Sequence, residues 1–329
     1  MYKTILFSIF LFVTFQVNGQ HHFDEVDQFA RDYRAKSKDY QELALDLTAP
    51  FDSPTDKARA IYVWITDNVK YDCKKLHKQG KNKTESFSYQ TETERKQKID
   101  EREISLANTA IKKKKGVCED YAFLFQRMCS AVGIETEFVT GHLGGNSRNI
   151  GKIPRIFNHA WNSIKLDGIW YLVDATTGSG TSDANCKKFH KKFNSGLFMV
   201  NPEDMILSHF PDQPEWQYLP KPITKEEFSL LPVAGSSYYK FNVSDFEPKF
   251  AIIPANETKI ATLKVKFTDR IDAPIKLFVN GKPQPGLFKL SSDGFWTYEY
   301  NLKNRRNKTM SILIKDGDSF YEILSYKSK

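Results

Sequence analysis

The sequence predicts an α+β fold: helices gathered around one buried helix, an antiparallel sheet against it, and a small β-sandwich behind. Three features carry that expectation. Residues 116–133 contain a helical run apolar on nearly all sides, residues 158–176 read as a β-hairpin closed by Asp167-Gly168, and 236–329 is a series of short alternating strands. At 329 residues the chain exceeds what one hydrophobic core usually supports, so two domains are expected, 20–235 and 236–329. With 40% hydrophobic and 14% aromatic residues, the composition is that of a packed globular protein.

The first twenty residues, MYKTILFSIFLFVTFQVNGQ, combine one lysine, a largely apolar run from Ile5 to Val17, and a small residue at Gly19. This is the pattern of a signal peptide (1–19) cleaved near Gly19/Gln20, and the run is short of the roughly 20 residues that span a bilayer. The expectation is a secreted or periplasmic chain with no integral membrane segment after cleavage. A net charge of +8 makes an anionic cell-envelope component a candidate partner; the lysines are interleaved with acids and accompany no nucleic-acid motif, so no nucleic-acid partner is expected.

The elements follow in order. Ser53, Pro54 and Asp56 are capping, first-position and first-turn residues of a helix whose Ile61, Trp64, Ile65 and Val69 make a core-facing stripe, so Trp64 is read as packing. Residues 74–103, charged and nearly without aliphatics, are expected to be a mobile surface insertion or, equally, a substrate-gating lid. The helix opened by Gly116 and stopped at Gly133 places Cys118 in its first turn. After it come the strand IETEFVTGH, a glycine-containing loop, the hairpin, and a proline- and aromatic-rich segment read as an extended linker at about 211–235. The strands TLKVKF, IKLFVN, FWTYEYNL and SILIK, with turns at Asn280-Gly281 and Asp293-Gly294, predict an immunoglobulin-like sandwich.

Four cysteines, at 73, 118, 129 and 186, allow up to two disulfides in an exported chain. Cys129 follows Cys118 by eleven residues, about 16 Å along a helix, so the two cannot bond and Cys129 reads as core. Cys73 and Cys186 are available to pair. No Cys-x-x-Cys pair or His-Glu-x-x-His helix is present, so no metal and no cofactor are expected.

A thiol at a helix N-terminus becomes a nucleophile when a base is oriented beside it. With Asp167-Gly168 as the turn, hairpin partners sum to 335, so Trp161 faces Asp174 and His159 faces Thr176. His159 and Asp174 then share a face as diagonal neighbours, about 7–8 Å apart at the backbone. An imidazole held by Asp174 and facing Cys118 is the Cys-His-Asp arrangement of acyl transfer. His142 competes for the base role but has no acid at a predictable position, and reads as a loop or substrate-side residue.

The stretches GVCEDYAFLFQRMCSAVGIETEFVTGH and NHAWNSIKLDGIWYLVDATTGSG resemble the transglutaminase-like superfamily, a papain-type α+β fold. KARAIYVWITDNVKYD and FMVNPEDMILSHFPDQPEWQYL resemble its kyphoscoliosis-peptidase branch, over roughly 50–220 in all. The family often has Gly where Glu119-Asp120 stand and Trp where Thr177 stands. The resemblance implies Cys118 as nucleophile, His159 as base and Asp174 as orienting acid, acting on a protein or peptide through a thioester. Hydrolysis is expected over cross-linking, which needs a site that disfavours water. Some members of the branch serve as interaction modules, so a catalytically silent binding protein is the alternative.

Overall fold

The computed structural model describes residues 23–79, 88–144, 147–183, 185–255, 257, 259–302 and 307–329. The signal-peptide reading falls outside the described residues. Helices α1 (Phe23–Asp32), α2 (Tyr40–Thr48) and α3 (Pro54–Asn68) lead the chain. Ser53 accepts a hydrogen bond from the Asp56 amide and Pro54 opens α3, satisfying donors that a helix start leaves unpaired. Ile61, Trp64, Ile65 and Val69 are buried as their spacing predicts.

Arg59 is buried too, an outcome that spacing alone does not foretell. Its guanidinium donates to both oxygens of Asp27 on α1, at 2.6 and 2.8 Å, and to the Ser195 hydroxyl at 2.8 Å. Phe23 and Phe198 flank it, each with its ring centre about 5 Å from the guanidinium carbon. Planar charge on an aromatic surface with a two-toothed carboxylate is a geometry that arginine satisfies and lysine does not.

A two-residue strand β1 (Lys70–Tyr71) leads into α4 (Cys73–Gln79). Within the surface insertion expected at 74–103, the described residues 74–79 and 92–103 are helical. From Glu92 the chain forms α5 (Glu92–Lys113), 22 residues long and capped by Thr91. The polar 92–103 stretch is the solvent-facing first half of this helix, laced by Lys98–Glu94 and Arg102–Glu119 pairs. Its anchors, Ala107, Ala110 and Ile111, lie past residue 103, so the stretch read by itself hides its apolar side.

Strand β2 (Lys115–Gly116) pairs in parallel with β1 and delivers the chain into α6 (Cys118–Ala131). Tyr121, Leu124, Phe125, Met128 and Cys129 are fully buried along it, as its all-round apolarity demands. Gly133, at φ +80°, turns the chain out of the helix in the left-handed region. Against α6 lies an antiparallel sheet in the order β5-β4-β3-β8, from β3 (Thr136–Leu143), β4 (His159–Leu166), β5 (Ile169–Val173) and β8 (His209–Pro211). Between β5 and β8 come α7 (Ala175–Ser179), the hairpin β6 (Gly180–Ser182) and β7 (Phe189–Lys191), and the single turn α8 (Pro202–Met205).

Cys73 and Cys186 form a disulfide across 113 residues of sequence, stapling α4 to the loop of the β6–β7 hairpin. Closing so long a loop restricts the unfolded chain by about 4–5 kcal/mol on the chain-entropy account. Cys73→Ser is therefore expected to remove several kcal/mol of unfolding free energy by urea titration, and reductant should do the same to the parent protein. A midpoint that does not move in either experiment would contradict this.

The segment read as an extended linker is folded. It contains a 3-10 turn at Pro214–Gln217, helix α9 (Lys225–Ser229) and strand β9 (Val233–Ala234). Among the described residues, helix α10 (Ser236–Lys240) and nine strands follow: β10 (Val243–Glu247), β11 (Ile252–Ile253), β12 (Ile260–Phe267), β13 (Ile275–Val279), β14 (Lys282–Pro283), β15 (Lys289–Leu290), β16 (Trp296–Asn301), β17 (Thr309–Asp316) and β18 (Ser319–Ser328). They make a β-sandwich of two sheets, β10-β12-β16-β15 and β11-β18-β17-β13-β14, with β9 added beside β18. Alternation along β12 and β17 buries Leu263, Val265, Ile312 and Ile314 between the sheets. One apolar cluster runs from these residues through Tyr239 and Leu207 to Trp161 and Val139 of the first sheet. The sandwich is thus packed onto the first sheet, and a change at its edge can reach the residues beside His159.

Candidate active site

Cys118 is the first residue of α6 and is partly exposed, whereas Cys129 is sealed in the core. Its position is built from several contacts. The Val117 amide donates to Asp120 Oδ2 at 2.7 Å, so a carboxylate three residues into the helix turns back over its start. Lys75 Nζ holds the same carboxylate at 2.6 and 2.8 Å. A side chain at Gly116 would place Cβ 2.6 Å from that of Asp120, so the chain needs glycine there. Where the family often has glycine, Asp120 here pins the helix mouth, through Lys75, to the disulfide-stapled α4.

The hairpin register matches the sum of 335 from Leu166↔Ile169 to Asn162↔Val173 and then stops. Asp174 does not pair with Trp161, nor Thr176 with His159: the chain leaves the strand at Asp174, which becomes the cap of α7. Asp174 Oδ1 accepts from the Thr176 and Thr177 amides at 2.9 and 3.0 Å. His159 opens β4 opposite Gly141 and stacks on Trp161 at 6.0 Å. The expected pair still forms, with His159 Nε2 donating to Asp174 Oδ2 at 2.8 Å. Because Nε2 is committed to Asp174, Nδ1 is the ring nitrogen left to serve Cys118, which is near enough to the imidazole to help raise its pKa. The structure therefore brings Cys118, His159 and Asp174 together. His142 is elsewhere, its Nδ1 3.2 Å from the Ile156 carbonyl.

A residue that sequence reasoning missed completes the group. His209 Nε2 donates to the same Asp174 Oδ2 at 3.1 Å, and its ring lies 5.6 Å from that of His159. It arrives through the pairing of β8 with β3, Leu143 opposite His209. That pairing joins segments more than sixty residues apart, and nothing local in SHFPDQ announces it. The approach also requires Gly141, whose Cβ would meet the Phe210 carbonyl at 2.3 Å and the Trp161 ring at 2.5 Å.

Burial works against charge on His159, but the Asp174 carboxylate, and after it Cys118, outweigh burial and push its pKa up to about 10. Burial likewise works against ionisation of Asp174, yet His159 and then His209 hold its carboxyl well below the usual range. For His209 burial wins: its pKa is lowered despite Asp174, with His159 adding to the shift, so its neutral form is favoured.

These shifts fix a pH dependence. A group whose pKa is raised from 6.5 to about 10 contributes its stabilisation fully below about pH 6.5 and loses it as pH climbs to about 10. Asp174, depressed, contributes above the ordinary carboxylate range and loses that only in strong acid; His209, kept neutral, weakens the fold as pH falls through the ordinary imidazole range. Unfolding free energy should therefore fall between pH 7 and 10, by at most about 1.4 kcal/mol per pH unit per proton. His159→Gln should flatten that fall; an equal slope in the variant would contradict it.

His159, Asp174 and His209 offer ligand atoms within 4.8 Å of one another, a cation-sized group that the zinc-motif search does not reveal. Each Nε2 donates a proton to Asp174, so the group as built holds protons rather than lone pairs toward its centre. A cavity of about 440 Å³ lined by Arg59, Ser195, Asp204, Tyr238 and Lys240 lies where the first domain meets the sandwich, and Cys118 is not among its lining residues. Chemistry rather than cavity size identifies the site.

The transglutaminase-like superfamily profile matches residues 41–175, a span that includes Cys118, His159 and Asp174. Kyphoscoliosis peptidase of Homo sapiens is 29% identical over 310 residues, and that of Mus musculus 27% over 308; each alignment takes in 93% of this chain and 43% of the relative. The chain thus spans less than half the length of these relatives. Hillarin of Drosophila melanogaster is 25% identical over 194 residues, covering 54% of this chain and 23% of its own. A crystal structure of a TGase overlaps 56% of this chain and 38% of its own at 15% identity and a TM-score of 0.28, too little to add to the fold assignment. Residues 41–175 therefore match the transglutaminase-like superfamily, in a chain similar along most of its length to kyphoscoliosis peptidases.

Proposed function

We propose that this protein is an exported cysteine-dependent acyl transferase that cleaves amide bonds in a protein or peptide, with hydrolysis as its outcome. The observation that carries the reading is the buried His159–Asp174 pair at 2.8 Å, with Cys118, at a helix mouth, near enough to help raise the imidazole pKa. The thiol proton of Cys118 resides on His159 Nδ1, where the raised imidazole pKa keeps it, and the sulfur attacks the carbonyl carbon; the C–O π electrons move to oxygen. Collapse of the tetrahedral species breaks the C–N bond, and the imidazolium proton passes to the leaving amine. Water, deprotonated by His159, then attacks the thioester and releases the acid and the thiol. Asp174 keeps the imidazole in the required tautomer and stabilises its charge. The Cys118 backbone amide, which has no acceptor within its helix, is the candidate donor to the oxyanion.

Hydrolysis is favoured because Cys118 is partly open to solvent and water needs no dedicated acceptor site. The Cys73–Cys186 disulfide supports export, since oxidising compartments are where such bonds persist. The net charge of +8 supports an anionic envelope surface as the setting.

The test offers mixed peptides and casein to the protein and to Cys118→Ala, with and without a primary amine probe. New amino termini in the parent alone indicate a peptidase, released ammonia an amidase, and incorporated amine a cross-linking enzyme. Equal behaviour of parent and Cys118→Ala, with no thioester adduct in intact mass spectra, would overturn the proposal in favour of a binding module.

A further inference from the structure

The acid of the Cys-His-Asp group is shared by two histidines, and the second has a supporting chain of its own. His209 Nδ1 lies 2.7 Å from the Ser208 hydroxyl, which lies 2.5 Å from the Tyr239 hydroxyl. The donors can be assigned by counting protons. His209 Nε2 faces a carboxylate oxygen that can only accept, so Nε2 carries hydrogen. For the neutral ring favoured by burial, Nδ1 then accepts from Ser208, and Ser208 in turn accepts from Tyr239, whose other acceptor, the Asp204 carbonyl, lies at the longer 3.4 Å. All three side chains are buried, so each misplaced proton would leave an unsatisfied polar group out of water's reach.

We infer that His209 is a positioning residue for Cys118, His159 and Asp174, locked as its Nε2–H tautomer by Ser208 and Tyr239 so that it fixes the Asp174 carboxylate toward His159. Oδ1 is fixed by the Thr176 and Thr177 amides, and the His209 donor adds a third restraint at Oδ2. Rotation of the carboxylate away from His159 would break all three bonds together. Sharing Oδ2 also divides its electron density between two donors, which tempers how tightly Asp174 grips the His159 proton.

Tyr239 lies on α10, which packs against β18 of the sandwich. The sandwich therefore reaches the acid of the triad through three side chains, and docking of the second domain helps to set the chemistry of the first. The groups facing His209 are Asp174 and His159 on one side and Ser208 and Tyr239 on the other, with the Trp161 ring crossing it edge-to-face, ring centres 5.0 Å apart. Behind Tyr239 stands Asp204, whose carboxylate is held by the Tyr238 hydroxyl at 2.6 Å.

The acyl-transfer reading gives this arrangement its consequence, but the test stands apart from turnover. Long-range proton–nitrogen spectra of the ¹⁵N-histidine-labelled full chain, with His209→Asn used for assignment, report the tautomer directly. His209 is expected as neutral Nε2–H from pH 6 to 9. Ser208→Ala should lose that signature, shift the His159 resonances, and change the pH profile of Cys118 alkylation, with the rate at pH 7 falling roughly tenfold, the worth of one hydrogen bond. Tyr239→Phe, a one-oxygen change that serves if Ser208→Ala does not fold, should do the same to a smaller extent. A His209 that is Nδ1–H or doubly protonated in the parent would overturn the inference. So would variants that leave the His159 resonances and the alkylation profile unchanged, whatever they do to stability. If Cys118 proves unreactive in the parent, the acyl-transfer reading fails while the spectra still decide the role of His209.

Discussion

Asp174→Asn is expected to lower turnover by about 10³- to 10⁴-fold while leaving the protein folded, the size of effect seen when the acid of a Ser-His-Asp triad is made an amide. The geometry explains why so small a change matters. The amide oxygen can keep the place of Oδ1 and go on accepting from the Thr176 and Thr177 amides, so α7 retains its cap. The amide NH₂ must then face the Nε2–H groups of His159 and His209, donor against donor. His159 relieves the clash by moving its proton to Nδ1, which can then no longer accept from Cys118. Alkylation of Cys118 at pH 7 should fall by about tenfold, because the thiol loses the acceptor for its proton. The stability cost should stay near 1–3 kcal/mol, the worth of buried donors left poorly paired. A variant with parental alkylation and turnover would show that Asp174 serves the fold alone.

Asp27→Ala is expected to lose about 3–5 kcal/mol of stability by urea titration, because the change strands a buried guanidinium. Arg59 would keep the Ser195 hydroxyl at 2.8 Å and its aromatic neighbours, but its compensating charge would be gone. The consequence should extend to the site. Ser195 belongs to the turn whose Leu197 carbonyl accepts the Asp174 amide at 3.1 Å, so a loosened Arg59 disturbs the backbone that seats the triad acid. Replacing both partners, as Asp27→Leu with Arg59→Met, should recover much of the loss, since the desolvation cost of both ions disappears with them. A loss under 1 kcal/mol for Asp27→Ala would contradict the assignment of this pair as a buried clamp.

Local pattern made much of this legible in the sequence. The α3 cap and stripe, the apolar circumference of α6 with its Gly133 stop, and the Asp167-Gly168 turn each depend on residues within a few positions of one another, and each is present. Hairpin counting brought His159 to Asp174 although the strand ends before reaching it, because a cap oxygen and a diagonal strand neighbour occupy nearly the same place. Features made by distant pairing were not legible. His209 enters through β8 on β3, Arg59 is accounted for only once α1 carries Asp27 across it, and α5 reveals its buried side only when Ala107 and Ile111 are read with it. The linker looked extended because its prolines break helices, yet its aromatics were there to pack against both domains.

The central claim is that Cys118 is a nucleophile prepared by His159 and Asp174, and its alkylation by iodoacetamide tests this most directly. The rate should be followed by peptide mass spectrometry from pH 5 to 9, in folded protein and in urea. In the folded chain Cys118 should be modified at pH 7 at least tenfold faster than the same residue in urea, with His159→Gln removing the difference. Cys129, sealed in the core with burial raising its thiol pKa, should react only on unfolding. A folded-state rate for Cys118 at or below its rate in urea would contradict the account and leave the group as a structural one.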